Sequence, residues 1–145
     1  MMFMRPATDR DLFVLFQIHR SVFKDHIEKI WGWDESWQLS NFTAEFLHAV
    51  TSVVESNGEI IGYVQIVDNE NRIYVQNIAI SQEFQSKGFG TSIMQKLQLD
   101  AAARKVTLQL SVFRTNTLAQ RFYERLGFHQ TGETATHIEL SWAAT

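Results

Sequence analysis

Three runs rich in Val and Ile lie between residues 52 and 80, and the breaks between them leave few folds open. Ser52 to Ser56 and Glu59 to Val67 flank Asn57-Gly58, the strongest two-residue hairpin signal because both residues tolerate the positive φ that the turn requires. A polar turn, Asp68-Asn69-Glu70-Asn71, leads into Ile73-Tyr74-Val75-Gln76-Asn77-Ile78-Ala79-Ile80. Three strands of one antiparallel meander follow from this. Gln85-Ser86-Lys87-Gly88-Phe89-Gly90 comes next, then Ile93, Met94, Leu97 and Ala101 at helical steps. Strand, glycine loop and helix are therefore consecutive.

The flanking segments change period. Phe3 to Arg5 reads as a short strand, and Thr8-Asp9-Arg10-Asp11 offers an N-cap threonine and first-turn acids to a helix. Leu12, Leu15, Phe16, His19, Val22 and Phe23 recur at three- and four-residue steps, so one face of that helix is apolar. Ile27, Ile30 and Trp31 continue it after a kink. The segment Trp31-Gly32-Trp33-Asp34-Glu35-Ser36-Trp37 interrupts the pattern, which Leu39, Phe42, Phe46 and Leu47 resume in a second helix ending near His48. Downstream, Val106 to Val112 is a strand, Asn116 to Leu126 a helix closed by Gly127, and Phe128 to Glu133 with His137 to Trp142 a final hairpin. The expected order is β-α-α-β-β-β-α-β-α-β-β, an α/β (α+β) chain.

No repeat, low-complexity tract or Pro/Gly/Ser-rich linker divides the 145 residues, so one domain over residues 1–145 is expected, long enough to bury about two-thirds of its unfolded surface. The chain has no cysteine, which excludes disulfides, thiolate chemistry and cysteine-type zinc sites. The N-terminus MMFMRPATDRD has no basic segment leading into a long apolar stretch, and nowhere do about eighteen apolar residues run together. A soluble cytoplasmic protein without a membrane partner is expected. A net charge of −3 and a pI near 5.9 exclude broad nucleic-acid binding, which needs a positive field to displace counterions. A homodimer stays open, and any anionic ligand must be held locally.

The glycine loop is where such a ligand fits. A strand feeding a glycine turn that opens a helix aims unpaired N–H groups and the positive end of the helix dipole at one point. Gly88 and Gly90 let phosphate oxygens approach the backbone or supply positive φ; Lys87 adds charge and Thr91 a hydroxyl. Packing of a helix-entry turn explains the same glycines. The chain has no G-x-x-x-x-G-K-[ST], and its G-x-G lacks the third glycine and downstream acid of a dinucleotide fold.

Gln85-Ser86-Lys87-Gly88-Phe89-Gly90 resembles the [Q/R]-x-x-G-x-[G/A] signature of the GNAT N-acetyltransferases, and it begins five residues after Ile78-Ala79-Ile80, the spacing of that family. A second block, Asn116-Thr117-Leu118-Ala119-Gln120-Arg121-Phe122-Tyr123-Glu124-Arg125-Leu126-Gly127-Phe128, looks like its N-x-x-A-x-x-[F/L]-Y-x-x-x-G-F segment. The resemblance extends over the whole element order and implies the GNAT fold, a mixed and mostly antiparallel sheet flanked by helices. It also implies acetyl-CoA as cofactor and a small-molecule or peptide amine as acceptor. The backbone of Ile78, Ala79 and Ile80 would pair with the pantetheine arm like an added strand. Gln85, Ser86, Lys87, Gly88, Phe89, Gly90 and Thr91 would take the pyrophosphate.

Asn116 would hydrogen-bond the cofactor's arm, or cap its helix, or both. Tyr123 would protonate the departing thiolate as general acid; a partly buried core aromatic is the plainer reading. Relatives place a glutamate as general base at positions that align here with Tyr74 and Ser111, so the base is left to a water or to His26, Glu28, Asp34 or Glu35. In the family the first two helices and their connection wall the acceptor site. That places Trp31, Trp33, Asp34 and Glu35 in an aromatic and acidic surface suited to a cationic amine, which favours a small amine or polyamine over a protein lysine or N-terminus; a helix-end core cluster explains the same residues, at least for one tryptophan. Two rival readings remain: a domain that binds acyl-CoA without turnover, and a module whose glycine loop serves packing alone.

Overall fold

In the computed structural model, which describes all residues Met1–Thr145, the elements follow the expected order. They are strands β1 (Met2–Pro6), β2 (Val50–Ser56), β3 (Glu59–Asp68), β4 (Arg72–Ile80), β5 (Thr107–Phe113), β6 (His129–Glu133) and β7 (His137–Trp142), and helices α1 (Leu12–Trp31), α2 (Glu35–His48), α3 (Phe89–Arg104) and α4 (Thr117–Arg125). The strand order in the sheet is β1-β2-β3-β4-β5-β7-β6. The chain forms two compact units, Met1–Val67 with Gln76–Phe89, and Asp68–Val75 with Gly90–Thr145.

In the first unit β1 pairs antiparallel with β2, Met2 opposite Ser56, and β2 with β3 around Asn57-Gly58. Asn57 and Gly58 both take positive φ, 53° and 78°, as the hairpin signal requires. The start of α1 is fixed by Asp11, whose carboxylate accepts from the Thr8 N–H at 2.8 Å and from two Arg5 nitrogens at 2.9 Å. Arg5 and Thr8 both hold the Asp11 carboxyl down, to about 2. Leu15, Phe16 and Ile18 of α1 and Phe42 and Phe46 of α2 are buried with Val53, Tyr63 and Ala79, each large apolar side chain contributing about 1.5–3 kcal/mol.

Three details differ from the sequence expectation. α1 is one uninterrupted helix of 20 residues rather than a kinked one; no proline or inserted group breaks its ladder. α2 begins at Glu35, because Asp34 Oδ1 accepts from the Trp37 N–H and caps it. The buried stripe of α2 is Gln38, Phe42 and Phe46, while Leu39 and Leu47 are 38% and 74% exposed. The four-residue spacing of the stripe leaves both leucines on its flank.

In the second unit the first half of β4 runs parallel to β5, Arg72 opposite Thr107 and Val75 opposite Leu110. β5 pairs antiparallel with β7, and β7 with β6. Ile93, Met94 and Ala101 of α3 and Tyr123 of α4 are buried. Two glutamines tie α4 in place. Gln120 donates to the carbonyls of Phe113 and Arg114 at the end of β5. Gln98 on α3 donates to Leu126 O at 2.8 Å, occupying a carbonyl that the helix end leaves without a partner.

Candidate functional site

The first unit holds the strand and loop singled out by the sequence. Ala79 and Ile80 are buried and Ile78 half-buried. β3 presses close behind them: a Cβ on Gly62 would sit 2.3 Å from Ala79 O, so only glycine allows this approach. Ser81 N–H donates to Ile61 O at 2.8 Å, and the Gln85 side chain donates back to Ile80 O at 2.8 Å, clipping the loop to the end of its strand. Gly88 has φ +88°, with nothing within 4 Å of where a side chain would begin. Ser86 also takes positive φ, 62°, and Ser86, Lys87 and Gly88 are exposed. Lys87 Nζ lies 5.6 Å from the Phe84 ring centroid, an attraction that holds the ammonium beside the loop. Phe89 opens α3, whose first N–H groups lack intrahelical partners. Free donors, a nearby cation and open space at Gly88 fit a phosphate-bearing ligand.

In the second unit Gly90 has a packing role: an added Cβ would lie 3.4 Å from the Phe122 ring. Thr91 beside it is half-buried. Asn116 caps α4, its Oδ1 accepting from the Ala119 N–H at 3.1 Å, which leaves its Nδ2 donors available. Tyr123 packs edge-on against Phe122 and Phe128 and is 6% exposed. Its hydroxyl bonds no protein group and is not fully enclosed, since no buried polar atom is left unpartnered. Burial raises its pKa. Tyr74 and Ser111 hydrogen-bond each other at 3.2 Å.

The Trp-rich segment is held by its own neighbours. Trp33 packs against the core and stacks on Phe16, and its indole N–H donates to Glu35 Oε1 at 2.8 Å. Glu35 also pairs with Arg20, and Lys24 lies over the Trp33 ring. Asp34 serves as the α2 cap. Trp31 and Trp37 are 62% and 59% exposed. Glu28 is exposed on α1, and His26 is half-buried and partnered.

Sequence reasoning missed Glu45. On α2 it accepts from Gln76 Nε2 at 2.6 Å and Asn77 Nδ2 at 3.4 Å, and Asn77 also donates to Gln65 at 2.7 Å. Burial pushes the Glu45 carboxyl up, opposed by these two amides. A signal was present: Glu45 stands three residues after Phe42 and seven after Gln38, placing an acid on the buried stripe of its helix. Next to it, Tyr63 is fully buried and bonds His19 Nδ1 at 2.9 Å. Burial lowers His19 to about 4.

The sequence profile of the acetyltransferase (GNAT) family matches residues 13–128. The chain is 28% identical over 99 residues to the [ribosomal protein bS18]-alanine N-acetyltransferase of Haemophilus ducreyi (strain 35000HP / ATCC 700724), covering 68% of this chain and 66% of that one. It is 29% identical over 86 residues to the spermine/spermidine N(1)-acetyltransferase of Bacillus subtilis (strain 168), covering 52% and 57%. The matched stretches thus span less than two thirds of either relative. In fold it superposes on the PaiA N-acetyltransferase of Thermoplasma acidophilum, solved in complex with coenzyme A, with a TM-score of 0.83, 16% identity and 99% of each chain covered.

Proposed function

The chain belongs to the acetyltransferase (GNAT) family, and from that membership we propose that it transfers the acetyl group of acetyl-CoA to a primary amine, working as one catalytic domain in the cytoplasm. The observation that carries the reading is the exposed loop Ser86 to Gly88, entering a 16-residue helix with Gly88 at φ +88° and free space above it. On this reading the backbone of Ile78, Ala79 and Ile80 pairs with the pantetheine arm. Gln85, Ser86, Lys87, Gly88, Phe89, Gly90 and Thr91 form the pyrophosphate cradle, within which Gln85 and Gly90 act by shaping the loop. Asn116 caps α4 with its oxygen and offers Nδ2 to the arm.

Tyr123 is the general acid. Its raised pKa keeps the phenol protonated at neutral pH, so it donates a hydrogen bond as charge develops on sulfur and gives up its proton only as the thiolate departs. Trp31, Trp33, Asp34 and Glu35 form the outer wall met by the acceptor. A small amine or polyamine is the favoured acceptor. The two curated relatives, one acting on a protein alanine and one on polyamines, bracket the choice.

Gly88→Asp tests the cofactor site. It adds bulk, a negative charge and backbone strain where phosphate oxygens would sit. Calorimetry on the folded variant should show acetyl-CoA affinity reduced at least about tenfold, the effect of losing one charge-assisted contact. Unchanged affinity would remove the loop from the site.

A further inference from the structure

We propose that Glu45 is the carboxylate that receives the acceptor's ammonium group and takes its proton, as general base. This rests on the acetyl-transfer reading above and assigns the step that reading leaves without a residue. The chain does not treat its acids alike. Three are not exposed: Asp11, Glu45 and Glu55. Asp11 and Glu55 both pair with Arg5. Glu45 faces only neutral amides, those of Gln76 and Asn77 and, one turn back on its own helix, Asn41. A half-buried carboxylate without a cation is costly to keep, and the fold surrounds it with donors that orient it without neutralising it.

The charged and titratable groups around it leave that place for a cation unfilled. Across α2 stands β3 with Tyr63, whose ionisation is opposed by burial first and by Glu45 second. Behind Tyr63 is His19 of α1, held neutral at pH 7 by burial. β4 contributes Gln76 and Asn77, immediately before Ile78. Gln76 lies two residues beyond Tyr74, the spacing that returns a strand to the same face. The position that aligns with the family's strand glutamate is Tyr74, already bonded to Ser111, so the acid enters from a helix instead. The other carboxylates of the acceptor wall differ in kind: Glu35 has Arg20 and Asp34 caps α2.

One ammonium proton passes to Glu45, directly or through one water, freeing the nitrogen lone pair. That pair forms the C–N bond at the acetyl carbonyl carbon, the C–S bond breaks, and its electrons leave on sulfur. The sulfur takes up one proton, and the new amide nitrogen releases its second N–H proton. Glu45 returns its proton to water. A carboxyl raised above its ordinary value by burial is better matched to a proton transfer near neutral pH than an exposed one.

The test compares wild-type protein with Glu45→Gln and Glu45→Asp, using spermidine and an alanine-initiated peptide as acceptors. Glu45→Gln should keep acetyl-CoA affinity and melting temperature, lower kcat/KM for the amine by about 100-fold at pH 7, and recover part of the loss toward pH 10, where the amine arrives deprotonated. Glu45→Asp should fall between the two. A kcat/KM for Glu45→Gln within threefold of wild type, or a loss that is the same at both pH values, overturns the proposal. If the glutamine variant does not fold, full wild-type activity in folded Glu45→Asp overturns it, because a base drawn back by one methylene cannot keep its geometry. Failure of the acetyl-transfer reading looks different: wild-type protein would turn over neither acceptor. Glu45 would then stand or fall on calorimetric binding of spermidine, weakened in Glu45→Gln if it receives the ammonium and unchanged if it does not.

Discussion

Tyr123 combines two properties rarely combined in a core aromatic: its ring is enclosed by Phe122 and Phe128, yet its hydroxyl has no partner in the protein. That hydroxyl keeps contact with the surface and is left to meet water or a ligand. Tyr123→Phe should therefore keep the fold and acetyl-CoA affinity but lower kcat on the order of 10- to 1,000-fold. Steady-state kinetics beside a binding isotherm checks this, and equal turnover would return Tyr123 to the core. His19 makes the opposite case, a buried residue whose hydrogen bond to Tyr63 is complete. Its folded-state pKa of about 4 lies below the ordinary value of 6.5, so the unfolded chain binds the extra proton first. Stability is then fully present above pH 6.5 and is lost as pH falls toward 4, by about 3 kcal/mol across the window. Urea midpoints measured at several pH values should show this slope, and His19→Gln should flatten it.

At the scale of elements, the order of strands and helices was legible because the periods differ so clearly: Asn57-Gly58 between two Val-rich runs, and Leu12, Leu15, Phe16 and His19 at helical steps. The chain's treatment of α2 was less so. Capping by Asp34 moved its start to Glu35, and burial of Gln38 moved its stripe away from Leu39 and Leu47. The same local facts bear on the proposed acceptor wall. Arg20 and Lys24 lie against Glu35 and Trp33, so the segment presents less negative charge than its composition suggests. The Asp34→Asn, Glu35→Gln double variant should raise the acceptor's KM by no more than about fivefold, the scale of exposed ion pairs, with the effect vanishing at high salt. The KM of acetyl-CoA should not move. Trp33→Ala, by contrast, should lower the melting temperature, because that ring packs on the core.

For the molecule as a whole, the family was legible because the glycine loop and the Asn116 to Phe128 block both fall at that family's spacing. Glu45 was not, because its meaning lies in what it lacks. Only the folded chain shows that Arg5 serves two of the three enclosed acids and leaves the third to amides. No helix is long and apolar enough to cross a membrane. Acetyl transfer from acetyl-CoA to an amine is tested most directly by following free thiol release and acetylated product together. The assay needs purified protein, acetyl-CoA and a panel of polyamines, peptides with free N-termini and lysine-bearing peptides. Stoichiometric thiol and acetylated amine are expected with at least one panel member, formed more slowly on the order of 10- to 1,000-fold in Tyr123→Phe. Tight acetyl-CoA binding with no acetylated product from any amine would contradict it and leave a domain that holds the cofactor without turning it over.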